Sequence, residues 1–410
     1  MLLEEGLSPL RMNLLKRELR MKKKLLAVLV ASALAAPVAA LAQASNVQIY
    51  GRANLGLDNY SATDSTAGSA ADLKSRNRVF DTASRLGFRG TEDLGNGLKA
   101  LFTIESGINI DNGSSNGQNG AANGSTGFLA SRDSFVGLEG SWGRVTFGRQ
   151  SIFYSNGAVA QTSSNYVNTE IPWTKGNVFG RVAGPAGRQS NVVAYNSPTL
   201  NNFNGTLSYA PNSEAAAAGA NTDASIWGVT LRYTGVLNAQ WDYAVTQAAS
   251  GGANRLKISG NKLGIGWPYS PGAQISLIWT QNKNDDVAAV AGFSALHDSV
   301  KQTAWTLNWE HLFGNVQALA MYGKLNGANG CTALNSTANG CAGTDATAYM
   351  VGVRYLLSKR TSAYLTYNKV TNGANQISDY TNDGYTAAPG AGIGAGAYPR
   401  VLAVGLMHNF

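Results

Sequence analysis

The side chains that usually carry bond-making chemistry are few and scattered in this sequence. The histidines, His297, His311 and His408, form no HExxH pattern and have no cysteine beside them. A catalytic site needs a nucleophile or an acid–base set that converges, and none can be assembled from these residues. The glycine-rich stretch 390–396 lacks GxGxxG spacing, and we interpret it as a flexible surface loop. We therefore predict no enzyme activity, no metal and no cofactor.

The two cysteines offer a different kind of chemistry. Cys331 and Cys341 lie in the stretch NGCTALNSTANGC, which has neither a CxxC motif nor a zinc-binding spacing. In an exported protein, two cysteines of one loop are expected to be oxidised. We predict a disulfide that stiffens an exposed loop and has no catalytic role.

The overall charge excludes one large class of partners. Charged residues make up 14% of the chain, and the net charge is +8. Seven of the 32 basic and three of the 24 acidic residues fall within 1–42, so the remainder carries only +4. No basic stripe with interleaved aromatic residues is present, and we exclude nucleic acid as a partner.

The N-terminal segment has the layout of an export signal. A basic start at Met21–Lys24 precedes the apolar stretch LLAVLVASALAAPVAALA, and small residues mark cleavage before Gln43 or Ser45. We predict an upstream extension over 1–20, a signal peptide over 21–42 and one mature domain over 43–410. The alternative, a transmembrane anchor, is disfavoured because the stretch is short and contains Pro37.

Beyond the signal, apolar and polar residues alternate over segments of about ten residues, the length and period of a membrane β-strand. In TAWTLNWEH, for example, the tryptophans and leucine share one face and the polar residues share the other. The stretch NRLKISGNKLGIGW loses this phase between Ile258 and Leu263, where we expect a bulge. We count sixteen segments, which begin near residues 46, 80, 97, 129, 143, 188, 203, 224, 238, 255, 273, 301, 314, 346, 361 and 399.

The connections between these segments alternate between short and long. Tight turns such as GSWG, TGVL and YSPG alternate with longer stretches rich in Gly, Asn, Ser and Ala. A soluble β-sandwich, the alternative, does not sort its connections in this way. In lipid a sheet must close on itself to satisfy its backbone, and sixteen strands leave an aqueous channel. We therefore predict an all-β fold, a 16-stranded antiparallel transmembrane β-barrel.

The same alternation assigns charged side chains to the lumen. Arg52 and Arg85 lie on the polar faces of their segments, opposite leucines. Phase does not settle Arg132, which shares parity with Val136 and Leu138, so that only a bulge or a rim position would turn it inward. The other lumen charges assigned by phase are Arg89, Lys99, Arg144, Arg232 and Arg354, with Glu105 and Asp242 as local counter-charges.

The last segment, RVLAVGLMHNF, ends at Phe410. A terminal Phe on an amphipathic strand resembles the assembly signal of bacterial outer-membrane proteins. This resemblance implies that the barrel-assembly machinery is a partner of the C-terminal strand.

Several motifs occur in order along the chain and resemble the general diffusion porins of Gram-negative bacteria, above all those of betaproteobacteria. They are IYGRANLGLD, SRLGFRGTEDLGNGLKALFTIESG, RDSFVGLEGSWGRVTFGRQ, VAYNSP, LSKRT and VGLMHNF. The resemblance covers residues 43–410. It implies a homotrimer in the outer membrane, in contact with lipid and lipopolysaccharide, that passes small hydrophilic solutes and ions. It also implies a third loop that folds into the lumen and narrows the pore.

The segment Gly148–Arg181 occupies the position of that third loop. It contains a single acidic residue, Glu170, whereas enterobacterial porins carry several carboxylates there. Opposite the loop the family places basic side chains. The matching or nearby positions in this chain are Arg52, Arg85, Arg132, Arg181 and Arg188.

A ring of arginines with few opposing acids favours anions. We therefore predict a channel of weak to moderate anion selectivity. Two alternatives stay open: a substrate-selective channel for organic anions, and a barrel that supports an adhesin or receptor. At the level of single residues, each arginine could instead be a structural ion-pair partner, and Glu170 could bond to loop backbone.

Overall fold

The structure is a computed structural model that is almost entirely β-sheet. It describes residues 47–66, 68–111, 129–152, 182, 184–185, 187–211, 225–249, 255–285, 299–331, 341–380 and 393–410. The predicted extension and signal peptide, and the positions Glu170 and Arg181, lie outside these residues. Among the described residues one short 3-10 turn occurs, Ser69–Ala71, and no helix is long and apolar enough to cross a membrane.

Seventeen strands are found in the described residues. In chain order they are β1 (Gln48–Thr63), β2 (Leu73–Asp81), β3 (Arg85–Gly95), β4 (Leu98–Gly107), β5 (Ser134–Gly140), β6 (Gly143–Ser151), β7 (Arg188–Asn196), β8 (Phe203–Pro211), β9 (Ser225–Thr234), β10 (Asn238–Ala249), β11 (Arg255–Ser270), β12 (Ala273–Asp285), β13 (Val300–Phe313), β14 (Val316–Leu325), β15 (Ala346–Leu356), β16 (Thr361–Asn372) and β17 (Tyr398–Asn409).

These strands form one closed antiparallel sheet. β2 and β3 are two halves of a single barrel strand, because both pair with β1: Leu55 faces Asp81 in β2, and Arg52 faces Arg85 in β3. β17 pairs with the other edge of β1 and closes the sheet. The prediction of a 16-stranded antiparallel barrel is confirmed.

Apolar side chains point out of this barrel and polar side chains point into it. Leu277 in β12 pairs with Leu307 in β13, and both are about half exposed on the outer face. Their neighbours Ser276 and Asn308 pair on the inner face and are buried. An outer face of exposed leucines requires lipid around it, whereas the polar inner face suits water.

Three details of the predicted strands are wrong, and one of them is the start of β5, at Ser134 rather than near residue 129. The second barrel strand begins at Leu73 rather than near residue 80, because the residues after Leu73, KSRNR, are polar on both faces and show no alternation. The bulge expected between Ile258 and Leu263 is absent, since β11 pairs with β10 and β12 there without a shift. Ile258 shares parity with the buried Lys262, so it is an apolar residue on the inner face. The register shifts farther along β11, beside Pro268, which cannot donate to a ladder.

The C-terminal residue takes part in closing the barrel. Phe410 and Gly51 exchange two backbone hydrogen bonds, of 3.0 and 3.1 Å. A Cβ atom on Gly51 would come within 2.4 Å of the Phe410 ring. Glycine at position 51 therefore makes room for the terminal aromatic side chain beside the first strand.

The predicted disulfide is confirmed. Cys331 and Cys341 are joined, with their Cα atoms 5.3 Å apart. Beside the bridge, the Thr344 hydroxyl donates to the Cys341 carbonyl at 2.7 Å and accepts from the Ala328 amide at 2.8 Å. These bonds fix the base of the connection between β14 and β15.

Candidate functional site: an arginine wall inside the barrel

A bulge in the second barrel strand lies beside the candidate site. Where β1 has two residues, its partner strand has three, Thr82–Ser84. Ala83 adopts a positive φ of 55°, and the Ser84 hydroxyl accepts a hydrogen bond from the Asn54 amide at 2.9 Å. The bulge ends at Arg85, the first residue of β3, and so determines where that side chain enters the interior.

Two arginines oppose each other at this level. Arg85 in β3 is the direct partner of Arg52 in β1, which places their Cβ atoms roughly 4.5–5.5 Å apart. Arg52 Nε donates to Asn409 Oδ1 at 3.0 Å. Both side chains are partly exposed, so their charges can act on ions in the lumen.

Glu105 in β4 is shared by several donors. Its Oε1 contacts Arg132 Nε closely, and its Oε2 accepts a hydrogen bond from the Tyr50 hydroxyl at 3.1 Å. Arg85 Nε lies 3.8 Å from the same Oε2. One carboxylate therefore serves two guanidinium groups and cannot neutralise both.

Arg132 reaches Glu105 because it precedes β5, whereas the prediction from sequence parity placed it within that strand. β5 begins at Ser134, five residues later than predicted. Before it the chain turns at Ala130, which has a φ of 65°, and the Arg132 amide donates to the Glu105 carbonyl at 2.9 Å. The parity shared with Val136 therefore does not apply to Arg132.

Asp133 is a second counter-charge, which the sequence analysis missed. Arg188 Nε donates to Asp133 Oδ1 at 2.8 Å, and the Ser151 hydroxyl donates at 3.0 Å. Burial alone would raise the pKa of Asp133, but the charge and hydrogen bond of Arg188 hold this pKa below its usual range. Asp133 is therefore ionised at neutral pH. Its position next to Arg132 in SRDSF was the available signal.

Arg149 is a further arginine beside this group, and sequence did not single it out. Its Nε donates to the Ser131 carbonyl at 3.0 Å and its Nη1 to Ser190 Oγ at 3.1 Å. Arg149 pairs with Ser134 in β5 without a register shift, so it shares the parity of Phe147, which is about half exposed on the outer face. It is therefore not counted among the lumen charges.

We call this group the arginine wall. It consists of Arg52, Arg85, Arg132 and Arg188 with the acids Glu105 and Asp133. Four positive charges outnumber two negative charges by two. The charges of Arg132 and Arg188 both act on Arg85. The group supplies positive potential and hydrogen-bond donors for anions.

Three other predicted lumen charges lie apart from the wall. Arg144 forms a close ion pair with Glu139 next to the turn between β5 and β6, and Lys99 faces Glu139 across β4 and β5. Arg89 lies over the Tyr50 ring, 4.9 Å from its centroid. These cations belong to the half of the barrel nearer the short turns.

The remaining predicted charges lie on other strands, namely β9, β10 and β15. Asp242 is buried and lies 3.8 Å from Lys262 Nζ. Arg232 Nη1 approaches the Thr206 hydroxyl at 3.3 Å. Arg354 has an inward register position opposite Gln317. None of these is brought to the arginine wall.

The chain enters the third long connection along the inner face. Ile152, directly after β6, is almost completely buried. A Cβ atom on Gly228 of β9 would lie 2.3 Å from Ile152 Cγ2, so glycine there makes room for the entering chain. The inward residues that cluster with Ile152 are Val192, Ala194, Ala210, Ile226 and Ala244.

The same connection returns against a distant part of the barrel. Val182 is buried in a cluster with Val300, the first residue of β13, and Ala328, which follows β14. Cys331 and Cys341 pack against this cluster. The disulfide-closed connection between β14 and β15 therefore seats the end of the third long connection.

No group of three His, Cys, Asp or Glu residues in the described ranges is arranged to hold a metal ion.

The comparisons with known proteins agree with a channel. A family model described as Gram-negative porin matches residues 26–375. The chain is 29% identical over 367 residues to the major outer membrane protein P.IB of Neisseria gonorrhoeae, which covers 86% of this chain and 94% of that protein. It is also 29% identical over 367 residues to P.IB of Neisseria meningitidis serogroup B, with coverage of 87% and 95%.

Two solved structures share the fold. One is the anion-selective porin from Comamonas acidovorans, with a TM-score of 0.68, 24% identity and coverage of 89% of this chain and 100% of that one. The other is OmpT of Vibrio cholerae in its trimer form, with a TM-score of 0.60, 12% identity and coverage of 90% and 100%. Because the family match spans most of the sequence, the chain belongs to the Gram-negative porin family, whose barrels are passive diffusion channels of the outer membrane.

Proposed function

We propose that this porin prefers anions to cations and that the arginine wall is the cause. The single observation that carries the proposal is the excess of two positive charges at one level of the inner wall. Two unit charges 4 Å apart interact by ~1 kcal/mol in water but by ~4 kcal/mol at an effective dielectric constant of 20. Charge beside a low-dielectric wall also focuses the local field. Two uncompensated charges in a narrow passage therefore outweigh the mild charge of the whole chain.

The fold relative from Comamonas acidovorans carries anion selectivity in its name. That likeness shows a shared fold and is consistent with the proposal. The proposal itself depends on the charges of this chain.

We infer further that the third long connection crosses the lumen as a constriction. Val182 and Arg188, at the start of β7, are six Cα–Cα steps apart, a reach of at most ~21 Å. Between β13, where Val182 packs, and β7 there are six strand spacings, or ~29 Å along the wall. A chain that cannot follow the wall must cut across the barrel, which supports an inward-folded loop.

Glu170 and Arg181 belong to this connection. We propose that Glu170 is the single acid of the loop facing the wall and that Arg181 adds to the positive side. With one acid on the loop, the transverse field across the pore is weak, and the net positive charge dominates selectivity.

We propose that three such barrels assemble as a trimer. The support is the trimer form of the fold relative from Vibrio cholerae.

We also propose that residues 1–20 are an upstream extension and that the signal peptide over 21–42 is removed before Gln43 or Ser45. We propose in addition that the barrel-assembly machinery recognises Phe410. The exposed position of the Phe410 ring supports that recognition.

The test of the main proposal is ion selectivity in a planar bilayer. The wild-type channel in a salt gradient is expected to show a reversal potential of the sign that anion preference gives. The matched charge-neutral control is the double variant E139Q/R144Q, which removes an ion pair far from the wall. Saturable block of the current by one organic anion at low concentration would indicate a substrate-selective channel instead of a general one. Binding of a partner protein without any ion conductance would favour a receptor.

A further inference from the structure

The connection between β16 and β17 folds back along the inner face of the barrel. We call its described parts, residues 373–380 and 393–397, the inner strap. Tyr380 of the strap belongs to a buried apolar cluster with Val401 of β17. Val401 precedes Leu402, which is exposed on the outer face, so this cluster lies on the lumen side. Two further strap residues of the cluster are Ile393 and Ala397.

A buried asparagine at the end of β16 holds both arms of the strap. Asn372 Nδ2 donates to the Ser378 carbonyl at 2.9 Å and to the Ala397 carbonyl at 2.7 Å. Its Oδ1 accepts a hydrogen bond from the Ser378 amide at 3.1 Å. The Gly396 amide also donates to the Gln376 carbonyl at 2.9 Å. The two arms are therefore tied to each other and to the strand end.

A carboxyl group ties the strap to the wall at a deeper level. Asp379 Oδ2 accepts a hydrogen bond from the Tyr60 hydroxyl at 2.9 Å, and its Oδ1 accepts one from the Tyr380 amide at 2.8 Å. Tyr60 is buried on the inner face and lies three residues before the end of β1 at Thr63, which is ~10 Å along the strand. A carboxyl group withdrawn from water at this depth resists ionisation.

The charged groups that face Asp379 come from β1 and β2. Arg78 of β2 acts on the carboxyl, but it forms a two-point ion pair with Asp58 of β1 at 3.0 and 3.1 Å. Arg76 is the cross-strand partner of Tyr60. The neighbouring inner-face residues of β16 and β17 carry no titratable group: Asn368, Val370, Pro399 and Val401. Burial therefore prevails over the charge of Arg78 and raises the pKa of Asp379 to about 7.

We propose that the inner strap is a pH-dependent gate, which acid locks against the barrel wall through Asp379 and which neutral pH releases. The docked carboxyl group keeps its proton at a pH where a carboxyl group in water has lost it. Docking is therefore favoured fully below about pH 4, weakens about tenfold for each pH unit up to about 7, and changes no further above that. Release of the strap widens the lumen. The proposal depends on the barrel being a channel and not on its anion preference.

The experiment records single channels of the full-length porin in a planar bilayer between about pH 4 and pH 8. The variant is Asp379→Asn, whose amide resembles the protonated carboxyl group and does not titrate. The matched control is Asp345→Asn, which removes an exposed acid next to the strap; the backbone carbonyl of Asp345 accepts from the Gly373 amide at 2.8 Å. For wild type and control, the ratio of time at high conductance to time at low conductance is expected to rise up to tenfold per pH unit and to level off above about pH 7. For Asp379→Asn it is expected to stay constant.

A second measurement follows the strap directly. Ser378 is completely buried, and the two native cysteines are joined to each other, so Ser378→Cys supplies a single thiol on the strap. Its rate of modification by a small charged thiol reagent is divided by the rate in the unfolded protein at the same pH, which removes the effect of thiol ionisation. This ratio is expected to rise with pH in S378C and to stay constant in S378C/D379N.

Conductance and thiol accessibility that do not change with pH in the wild-type background would overturn the proposal. An equal pH response with and without Asp379 would overturn it as well, because the titrating group would then lie elsewhere. The sign of the reversal potential is expected to be the same at every pH, so this result is separate from the anion preference.

Discussion

Arg52 in β1 and Arg85 in β3 are direct cross-strand partners on the inner face, beside the bulge that divides the second barrel strand. Like charges in opposed positions are destabilising, and closure of the sheet does not require them. Glu105 partly offsets Arg85 and is already shared with Arg132. The pair therefore weakens the barrel locally and supplies positive potential to the lumen.

Removal of the shared acid is expected to increase anion preference. In Glu105→Gln, Arg85 and Arg132 lose their counter-charge, so the excess on the wall rises by one unit. The amide still accepts from Tyr50, but the partly buried guanidinium of Arg132 loses a charged partner, at a cost of about 1.5–3 kcal/mol. The permeability ratio should shift further toward anions, and the unfolding temperature should fall. A shift toward cations would contradict the charge balance of the wall.

The root of the third long connection can be tested through Gly228. A Cβ atom there would overlap Ile152, so Gly228→Ala is expected to displace the entering chain and to change single-channel conductance. The matched control is Gly205→Ala, since a Cβ atom on Gly205 comes no nearer than 3.3 Å to a neighbour. Equal conductance for both variants and the wild type would show that Ile152 does not position the constriction.

The disulfide is expected to steady the pore. Cys331 and Cys341 pack against the cluster that buries Val182, so the variant C331S/C341S should show more current noise in single-channel records. Addition of a reductant should have the same effect on the wild type and none on the variant. If the current noise is unchanged in C331S/C341S, the disulfide does not steady the constriction.

Asp379 makes the connection between β16 and β17 sensitive to pH. Its carboxyl accepts hydrogen bonds from the Tyr60 hydroxyl at 2.9 Å and the Tyr380 amide at 2.8 Å. Burial raises the pKa of Asp379 to about 7, although both bonds and the charge of Arg78 act in the opposite sense. The folded chain therefore keeps a proton that the unfolded chain releases near its usual pKa of about 4.

The stabilisation from this proton is complete below about pH 4 and is lost as the pH rises through about 7. Between pH 5 and 8 the unfolding temperature of the wild type should fall more steeply than that of Asp379→Asn, whose amide does not titrate. Hydrogen exchange of the amides near Tyr380 should follow the same trend. If the unfolding temperatures of the two proteins depend on pH in the same way, Asp379 is not the cause of the pH dependence.

Sequence periodicity predicted all sixteen barrel strands, because a sheet between lipid and water imposes a strict period of two. It failed where the backbone departs from that period. Arg132 precedes its strand, and Arg85 follows a bulge at Ala83. Inward direction at such points depends on local φ values, which alternation cannot reveal. The acid Asp133 was missed for the same reason, although it neighbours Arg132.

The most direct test of the account is the reversal potential of wild type and R52Q/R85Q in the same salt gradient, with E139Q/R144Q as the control. Removal of two of the four wall arginines leaves no excess of positive charge. We expect an anion-selective wild type, an unchanged control, and a variant with little ion preference whose barrel assembly is intact. A cation-selective wild type, or a variant with the reversal potential of the wild type, would contradict it.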